Sequence, residues 1–360
     1  MITNEMMRIV SLSDICSYVN CKTPVEQIQL VDYVSTENLL QNKGGLSVAN
    51  KLPSGKVTAF QAGDVLVSNI RPYFKKIWLA DRSGGASNDV LVFRKLNDNI
   101  CEKYLYYILA DDRFFTFSTV SASGSKMPRG DKVQIMNYPI NLPSLDQQKK
   151  IADILSSLDE KIELNRRMNE TLEQLGQALF RHYFVDKAKQ SNGNIQTIPL
   201  GKKFHPKRGR SLQVRDMICG DTPVISGGLK PAGFHNEANT TTPVITISAS
   251  GANAGFVSVW GESVWSADSS YIDSTTTEYV YTYYLFLKNK QKEIYDMQTG
   301  SGQPHIYPKH IELLEIADLS DCEFNDFEQR VRPLFDMIHK NKKQIDYLSN
   351  IRDLLLPKLV

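Results

Sequence analysis

Apolar residues recur with a helical period over two long stretches of the chain. From Asp146 to Phe184, the positions Ile151, Leu155, Leu158, Ile162, Leu172, Leu175 and Leu179 follow at intervals of three and four around a single gap, with Gln, Lys, Glu and Arg between them. Such spacing predicts a long helix with one narrow apolar seam. From about Asn325 to Leu356 the pattern returns in Phe327, Val331, Leu334, Ile338, Leu348, Ile351 and Leu355, each 176 positions after its counterpart. In both copies asparagine stands in the gap, Asn165 and Asn341, each followed by two basic residues, Arg166-Arg167 and Lys342-Lys343. A polar side chain on an apolar seam costs stability but fixes the register of paired helices; a solvated asparagine on a curving face would give the same letters. On the pairing reading, Ile151, Leu155, Leu158, Ile162, Asn165 and Leu172 meet Val331, Leu334, Ile338, Asn341 and Leu348.

The residues ahead of each helix read differently. Short runs such as Asp64 to Ser68, Val90 to Phe93, Pro243 to Ile247 and Gly255 to Trp260 lie between Gly- and Ser-rich turns and predict strands, while Glu102 to Leu109 and Val280 to Lys288 predict short helices. TVSASGSKMPRGDKVQI, Thr119 to Ile135, parallels MQTGSGQPHIYPKHIEL, Met297 to Leu313, at an offset of 178. The polar stretch Asp186 to Thr197 has no apolar cluster and predicts a linker. The predicted fold class is therefore α+β, with mixed α/β structure in two similar globular domains that alternate with two long helices. The domains fall at 1–145 and 186–322, and the helices at 146–185 and 323–360.

With 360 residues and 41% hydrophobic content, the chain can bury more than one core. Lys and Arg number 42 against 40 Asp and Glu, a net charge of +2, so a nucleic-acid binder of this composition must segregate its positive charge onto one face. The five cysteines, Cys16, Cys21, Cys101, Cys219 and Cys322, form neither a C-x-x-C pair nor a regular framework, which fits a reducing cytoplasm. The start, MITNEMMRIV, lacks the basic flank and apolar run of a signal peptide, and no run of about eighteen apolar residues follows. A cytoplasmic protein with no membrane contact is expected.

The run LPSLDQQKKIADILSSLDEKIELNRRMNETLEQLGQALFRHYF resembles the central helical region of type I restriction-modification specificity subunits. GDVLVSNIRPYFKKIW followed by SNDVLVFR, and the loop GSGQPHIYPKHI, resemble the same family, and the resemblance extends over nearly the whole chain with its internal duplication. It implies two target recognition domains, each reading one half of a split site in double-stranded DNA, held by two helices packed as an antiparallel coiled coil. It also implies two methyltransferase subunits bound to those helices and restriction/translocase subunits that can join. A helix of about 39 residues is roughly 58 Å long at ~1.5 Å per residue, long enough to act as a ruler between readers about one DNA turn of ~34 Å apart.

Given a DNA partner, cations and hydrogen-bonding residues in loops are the candidate contacts. In the first domain, Asn69 suits adenine and Arg71 guanine, Lys75 and Lys76 suit phosphates, and Tyr73 lies among them; a strand edge with solvated charges accounts for the same residues. Ser125, Lys126 and Arg129 form a candidate phosphate cradle in a glycine loop. Gln303, His305 and Tyr307 are their counterparts in the second domain, where Lys207, Arg208 and Arg210 form the densest basic run and Ser250 and Asn253 occupy the place of the SNIRP segment. Shared scaffolding accounts equally for the two glycine loops, and an ordinary surface loop for the basic run.

No G-x-x-x-x-G-K-[ST] loop, H-E-x-x-H helix or N-P-P-[FY] tetrapeptide occurs. No catalytic or metal site is therefore expected in this chain, and methyl donor, ATP and magnesium are expected in partner subunits. Two other readings remain at this point: a modification enzyme or nuclease with fused recognition domains, and an adaptor whose lobes bind protein without a restriction role.

Overall fold

The computed structural model describes residues 8–124, 126–186, 196–300 and 302–360. Most of the predicted linker, 187–195, lies outside the described residues, as does Ser125. The chain divides into two compact units, Met1–Ile162 with Asp346–Val360, and Glu163–Ile345. Each takes in one stretch of each long helix.

Among the described residues the first unit has ten strands: β1 (Arg8–Ser11), β2 (Cys16–Tyr18), β3 (Lys22–Pro24), β4 (Tyr33–Val34), β5 (Lys56–Phe60), β6 (Val65–Ser68), β7 (Ile77–Leu79), β8 (Gly84–Ala86), β9 (Val90–Lys95) and β10 (Pro139–Leu142). They form an antiparallel sheet β2-β9-β6-β7, a second sheet β3-β5-β8-β4 and the pair β1-β10. Three helices follow β9 in the chain, α1 (Glu102–Ala110), α2 (Asp112–Val120) and α3 (Lys132–Met136). Successive side chains of a strand point to opposite faces, and in β6 both faces are covered. Val65 and Val67 join the core containing Tyr104, Leu105 and Ile108 of α1, whereas Leu66 packs with Phe60 and Ala86. That double burial explains why the sequence here reads as a continuous apolar run.

The second unit repeats the plan with nine strands among the described residues: β11 (Thr197–Pro199), β12 (Lys207–Arg208), β13 (Thr222–Ile225), β14 (Gly233–His235), β15 (Val244–Ser248), β16 (Val257–Trp260), β17 (Trp265–Ser266), β18 (Ser269–Asp273) and β19 (Glu315–Ala317). The order β12-β18-β15-β16 copies β2-β9-β6-β7, and β11-β19 copies β1-β10. The smaller sheet has three strands, β14-β13-β17, in place of four. Ile245 and Ile247 of the central β15 pack into a core with Leu285 and Leu287 from a helix over Val280–Asn289.

The long helices are α4 (Leu145–Phe180), continued by a π-helical segment Arg181–Asp186, and α8 (Asp321–Leu359), which starts a few residues before the predicted 323. Between them in the chain lie α5 (Val280–Asn289), α6 (Gln291–Asp296) and α7 (Pro308–Glu312). Within the second unit α4 and α8 run antiparallel: Asn165 Nδ2 donates to Gln344 Oε1 at 2.9 Å, and Asn341 Nδ2 donates to Asn169 Oδ1 at 2.9 Å. In the first unit Arg352 Nη1 of α8 donates to Asp159 Oδ1 of α4 at 2.8 Å. Leu155, Ile162, Asn165, Val331, Ile338 and Asn341 are buried, and Ile151, Leu158, Leu172, Leu334 and Leu348 are half-buried. The predicted seam is displaced at two places. Leu175 is 46% exposed, and its neighbour Gly176 faces Leu285 and Phe335 instead. On α8, Phe335 rather than Leu334 reaches the core, because the helices bury a face against the globular core as well as against each other. Among the described residues no helix is long and apolar enough to cross a membrane.

Candidate nucleic-acid interface

Three pieces of backbone meet where β6 ends. Asn69 donates its N–H to the Asp89 carbonyl at 2.8 Å and accepts from Gly130 at 3.3 Å, and Arg71 donates to the Pro128 carbonyl at 2.8 Å. The loop carrying Pro128 and Gly130 closes on itself through two reciprocal bonds of 3.0 Å between Ser123 and Arg129. Gly124 turns it at φ 105°, a conformation that favours glycine.

The second unit builds the same junction after β15. Ala249 donates to the Asp268 carbonyl at 3.1 Å and accepts from Ile306 at 2.9 Å, while Gly251 donates to the Pro304 carbonyl at 3.0 Å. Thr299 and His305 exchange bonds of 3.0 and 2.8 Å, and Gly300 turns the loop at φ 99°. Gly124, Pro128 and Arg129 thus correspond to Gly300, Pro304 and His305, each 176 positions on, as in the helices. The sequence offset of 178, which set Lys126 against Pro304, is corrected. The left-handed glycines and the carbonyls of the two prolines fix the frame, and Lys126 corresponds to Gly302.

The predicted contact residues of the first unit separate into exposed and engaged groups. Tyr73, Lys126 and Arg129 are exposed, and Arg129 Nε donates to Asp89 Oδ1 at 3.1 Å. Lys75 Nζ is bound to Asp112 at 2.7 Å, and Lys43 reaches the same carboxylate at 3.1 Å. Burial works against the Asp112 carboxylate, but these two lysines hold its pKa below the usual range. Lys76 is half-buried, donates to the Thr36 carbonyl and has its pKa lowered by burial; a phosphate contact from it requires that bond to open.

Two expectations are corrected. Asn69 is only 5% exposed and its Oδ1 is buried without a hydrogen-bond partner, so its amide is not offered to an adenine edge. Arg71 is half-buried, donates to the Lys126 carbonyl at 3.3 Å and lies 5.9 Å from the Phe74 ring centre. Its guanidinium braces the glycine loop rather than standing free for guanine.

In the second unit Lys207, Arg208, Arg210, Gln303 and Tyr307 are exposed, and Ser250, Asn253 and His305 are half-buried. Lys207 Nζ donates to Thr275 Oγ1 at 2.7 Å, and Arg208 Nη2 to Asp268 Oδ1 at 3.0 Å. The Arg210 carbonyl accepts from Trp265 Nε1 at 2.8 Å. Ser250 Oγ donates to Asp268 Oδ2, and Asn253 Nδ2 to the Gly227 carbonyl at 3.3 Å. His305 stacks on Tyr307 with ring centres 6.0 Å apart.

Sequence reasoning passed over Asp89 and Asp268 because it sought cations and amides. The signal was present in the letters: in each unit an aspartate directly precedes one strand that neighbours the central one, at Val90 and at Ser269. Among the described residues no group of three His, Cys, Asp or Glu is placed to hold a metal ion.

The profile of the type I restriction modification DNA specificity domain matches residues 4–174. The chain is 30% identical over 222 residues to the HindI type I specificity subunit of Haemophilus influenzae, covering 59% of this chain and 47% of that one. It therefore spans about half the length of that relative. It is 26% identical over 298 residues to the MjaIX specificity subunit of Methanocaldococcus jannaschii, covering 73% and 69%. In fold it resembles the crystal structure of the S subunit of a type I restriction-modification system from M. genitalium, with a TM-score of 0.60 at 20% identity over 100% of this chain and 98% of that one. A matched specificity domain, followed by a second unit of the same plan, makes the chain similar to type I restriction-modification specificity subunits.

Proposed function

We propose that this chain selects the DNA sequence for a type I restriction-modification enzyme in the cytoplasm and leaves catalysis to its partners. The recognition domains, 1–145 and 186–322, each read one half of a two-part site in double-stranded DNA. The helices at 146–185 and 323–360 dock two methyltransferase subunits, and restriction/translocase subunits join that assembly; methyl donor, ATP and magnesium belong to these partners. The observation that carries the reading is the junction of strand end, glycine loop and aspartate, built once in each unit with exposed cations beside it. Two like surfaces on one chain suit a target with two halves, and base-edge contacts need groups held in place.

Co-expression with a methyltransferase subunit of such a system, followed by sequencing of modified bases in the host DNA, tests this. A motif of two specified halves around an unspecified spacer is expected. Modification at a single undivided motif, or none above the level seen without the chain, would refute the proposal.

A further inference from the structure

We infer that Asp89 and Asp268 are positioning residues for base reading, each holding one arginine, Arg129 in the first unit and Arg208 in the second, in a pose suited to the edge of a guanine. The inference rests on the DNA-reading function proposed above and names the residues that perform it.

Both aspartates are fixed through their main chain, because each gives its carbonyl to the residue that follows the central strand, Asn69 or Ala249. Their carboxylates are thereby set at equivalent points of the two junctions. Each takes one arginine: Arg129 Nε lies 3.1 Å from Asp89 Oδ1, and Arg208 Nη2 lies 3.0 Å from Asp268 Oδ1. Ser250 Oγ donates to the second oxygen of Asp268 and fixes its rotation. The arginine side chains remain 52% and 43% exposed. With one N–H of each guanidinium spent on the carboxylate, the other donors remain for a ligand, and a guanidinium fork matches O6 and N7 of guanine.

The charge balance separates this role from phosphate binding. An acid beside an arginine cancels the attraction that draws a cation to phosphate, and a half-exposed ion pair adds little to stability. A carboxylate recurring at one place in both units therefore weakens non-specific affinity. What it adds is orientation, which base-edge recognition requires and phosphate attraction does not.

The two arginines come from different elements. Arg129 lies in the glycine loop, where the second unit has His305, and Arg208 lies on β12 opposite Ser270. The guanidinium thus approaches the common aspartate from different sides, and the two half-sites would carry their guanine at different positions.

The test compares the wild-type chain with D89N, R129K, D268N and R208K, each co-expressed with the methyltransferase subunit and read out by sequencing of modified bases. D89N and R129K should both relax the same single guanine in one half-site, with discrimination there falling about tenfold or more, while the other half stays as in wild type. D268N and R208K should do the same in the other half. Unchanged motifs in R129K and R208K would overturn the inference, as would a uniform fall in modification with both halves intact, the mark of a phosphate contact. A wild-type chain that gives no two-part motif would instead sink the function on which the inference rests. For a variant that does not co-purify with the methyltransferase, the partner variant of the same pair decides, read by competition of single-base-substituted duplexes for the purified complex.

Discussion

The corner after the central strand holds Arg71 in the first unit and Gly251 in the second, and both are left-handed, at φ 51° and 80°. Among the described residues all four non-glycine left-handed positions, Asn42, Lys43, Arg71 and Lys75, fall in the first unit. They face one another across two loops, where Asn42 donates to the Phe74 carbonyl and Lys43 to the Lys75 carbonyl, both at 2.9 Å. A left-handed side chain costs ~1–2 kcal/mol per residue, and such outliers persist only where the surroundings hold them. The second unit makes its turns with glycine and carries its basic run in the segment from Lys207 to Arg210 instead. One fold thus places cations in two ways: engaged at strained corners in one unit, exposed on a relaxed edge in the other.

The difference reaches the helices ahead of the glycine loops. The first turn of α5 is capped by Glu328 of α8, which accepts from Thr282 N at 2.9 Å, Thr282 Oγ1 at 2.8 Å and Arg332 at 2.9 Å. The start of α1 leans on a neutral side chain: Gln148 of α4 accepts from Cys101 N at 3.0 Å and donates to the Asn99 and Pro143 carbonyls. Both caps are buried. Burial raises the pKa of Glu328 although the Thr282 donors and Arg332 favour its charged form. Glu328→Ala leaves buried donors unpaired and should cost ~3 kcal/mol, whereas Gln148→Ala, which strands one N–H and two carbonyls, should cost ~2 kcal/mol. Urea unfolding with amide protection of α5 and α1 as separate reporters checks this. Equal losses, or losses that spread to both units alike, would break the comparison.

Histidine sharpens it further, since all six histidines lie between 163 and 345. His339 of α8 is half-buried beside Tyr281 and Gly261, with Nε2 unpaired, and burial followed by Lys342 and Lys343 pushes its pKa down to about 4. Its folded pKa lies below the unfolded value of 6.5. The stability it contributes is therefore present above pH 6.5 and lost as pH falls toward 4. The loss is ~2 kcal/mol once its partly open edge is allowed for. His339→Gln should narrow the stability gap between pH 7 and pH 4.5 by that amount, with the change confined to protection factors of the second unit. The same gap in both proteins would remove His339 as its cause.

The repeat, the long helices, the central strands and the short helices were legible in the letters, because a buried seam and a doubly covered strand impose long apolar patterns. The fine frame was not. The loops align at 176 rather than 178 because Gly124 and Gly300 share a left-handed turn, a constraint that identity of letters alone does not weigh. Asn69 and Arg71 looked like readers because their types suit base edges, but backbone bonds to Asp89 and Pro128 draw them into the junction. Asp89 and Asp268 went unseen because their roles depend on arginines 40 and 60 residues away in sequence.

The smallest expected effect tests the corners themselves. Gly251 has open space around the position a Cβ would take, with nothing within 4 Å, so Gly251→Arg meets backbone strain alone and should cost the second unit ~1 kcal/mol. Arg71→Gly relieves that strain but gives up the bond to the Lys126 carbonyl and loosens the unfolded chain, leaving a gain of ~0.5 kcal/mol in the first unit. The two substitutions should move unfolding midpoints in opposite directions, with Gly251→Asn between wild type and Gly251→Arg, because asparagine tolerates the left-handed region. A loss above ~1 kcal/mol for Arg71→Gly would mean that the guanidinium, through Lys126 and Phe74, secures the glycine loop more than the strained corner costs, and the first unit would then owe its loop to a side chain where the second owes it to backbone.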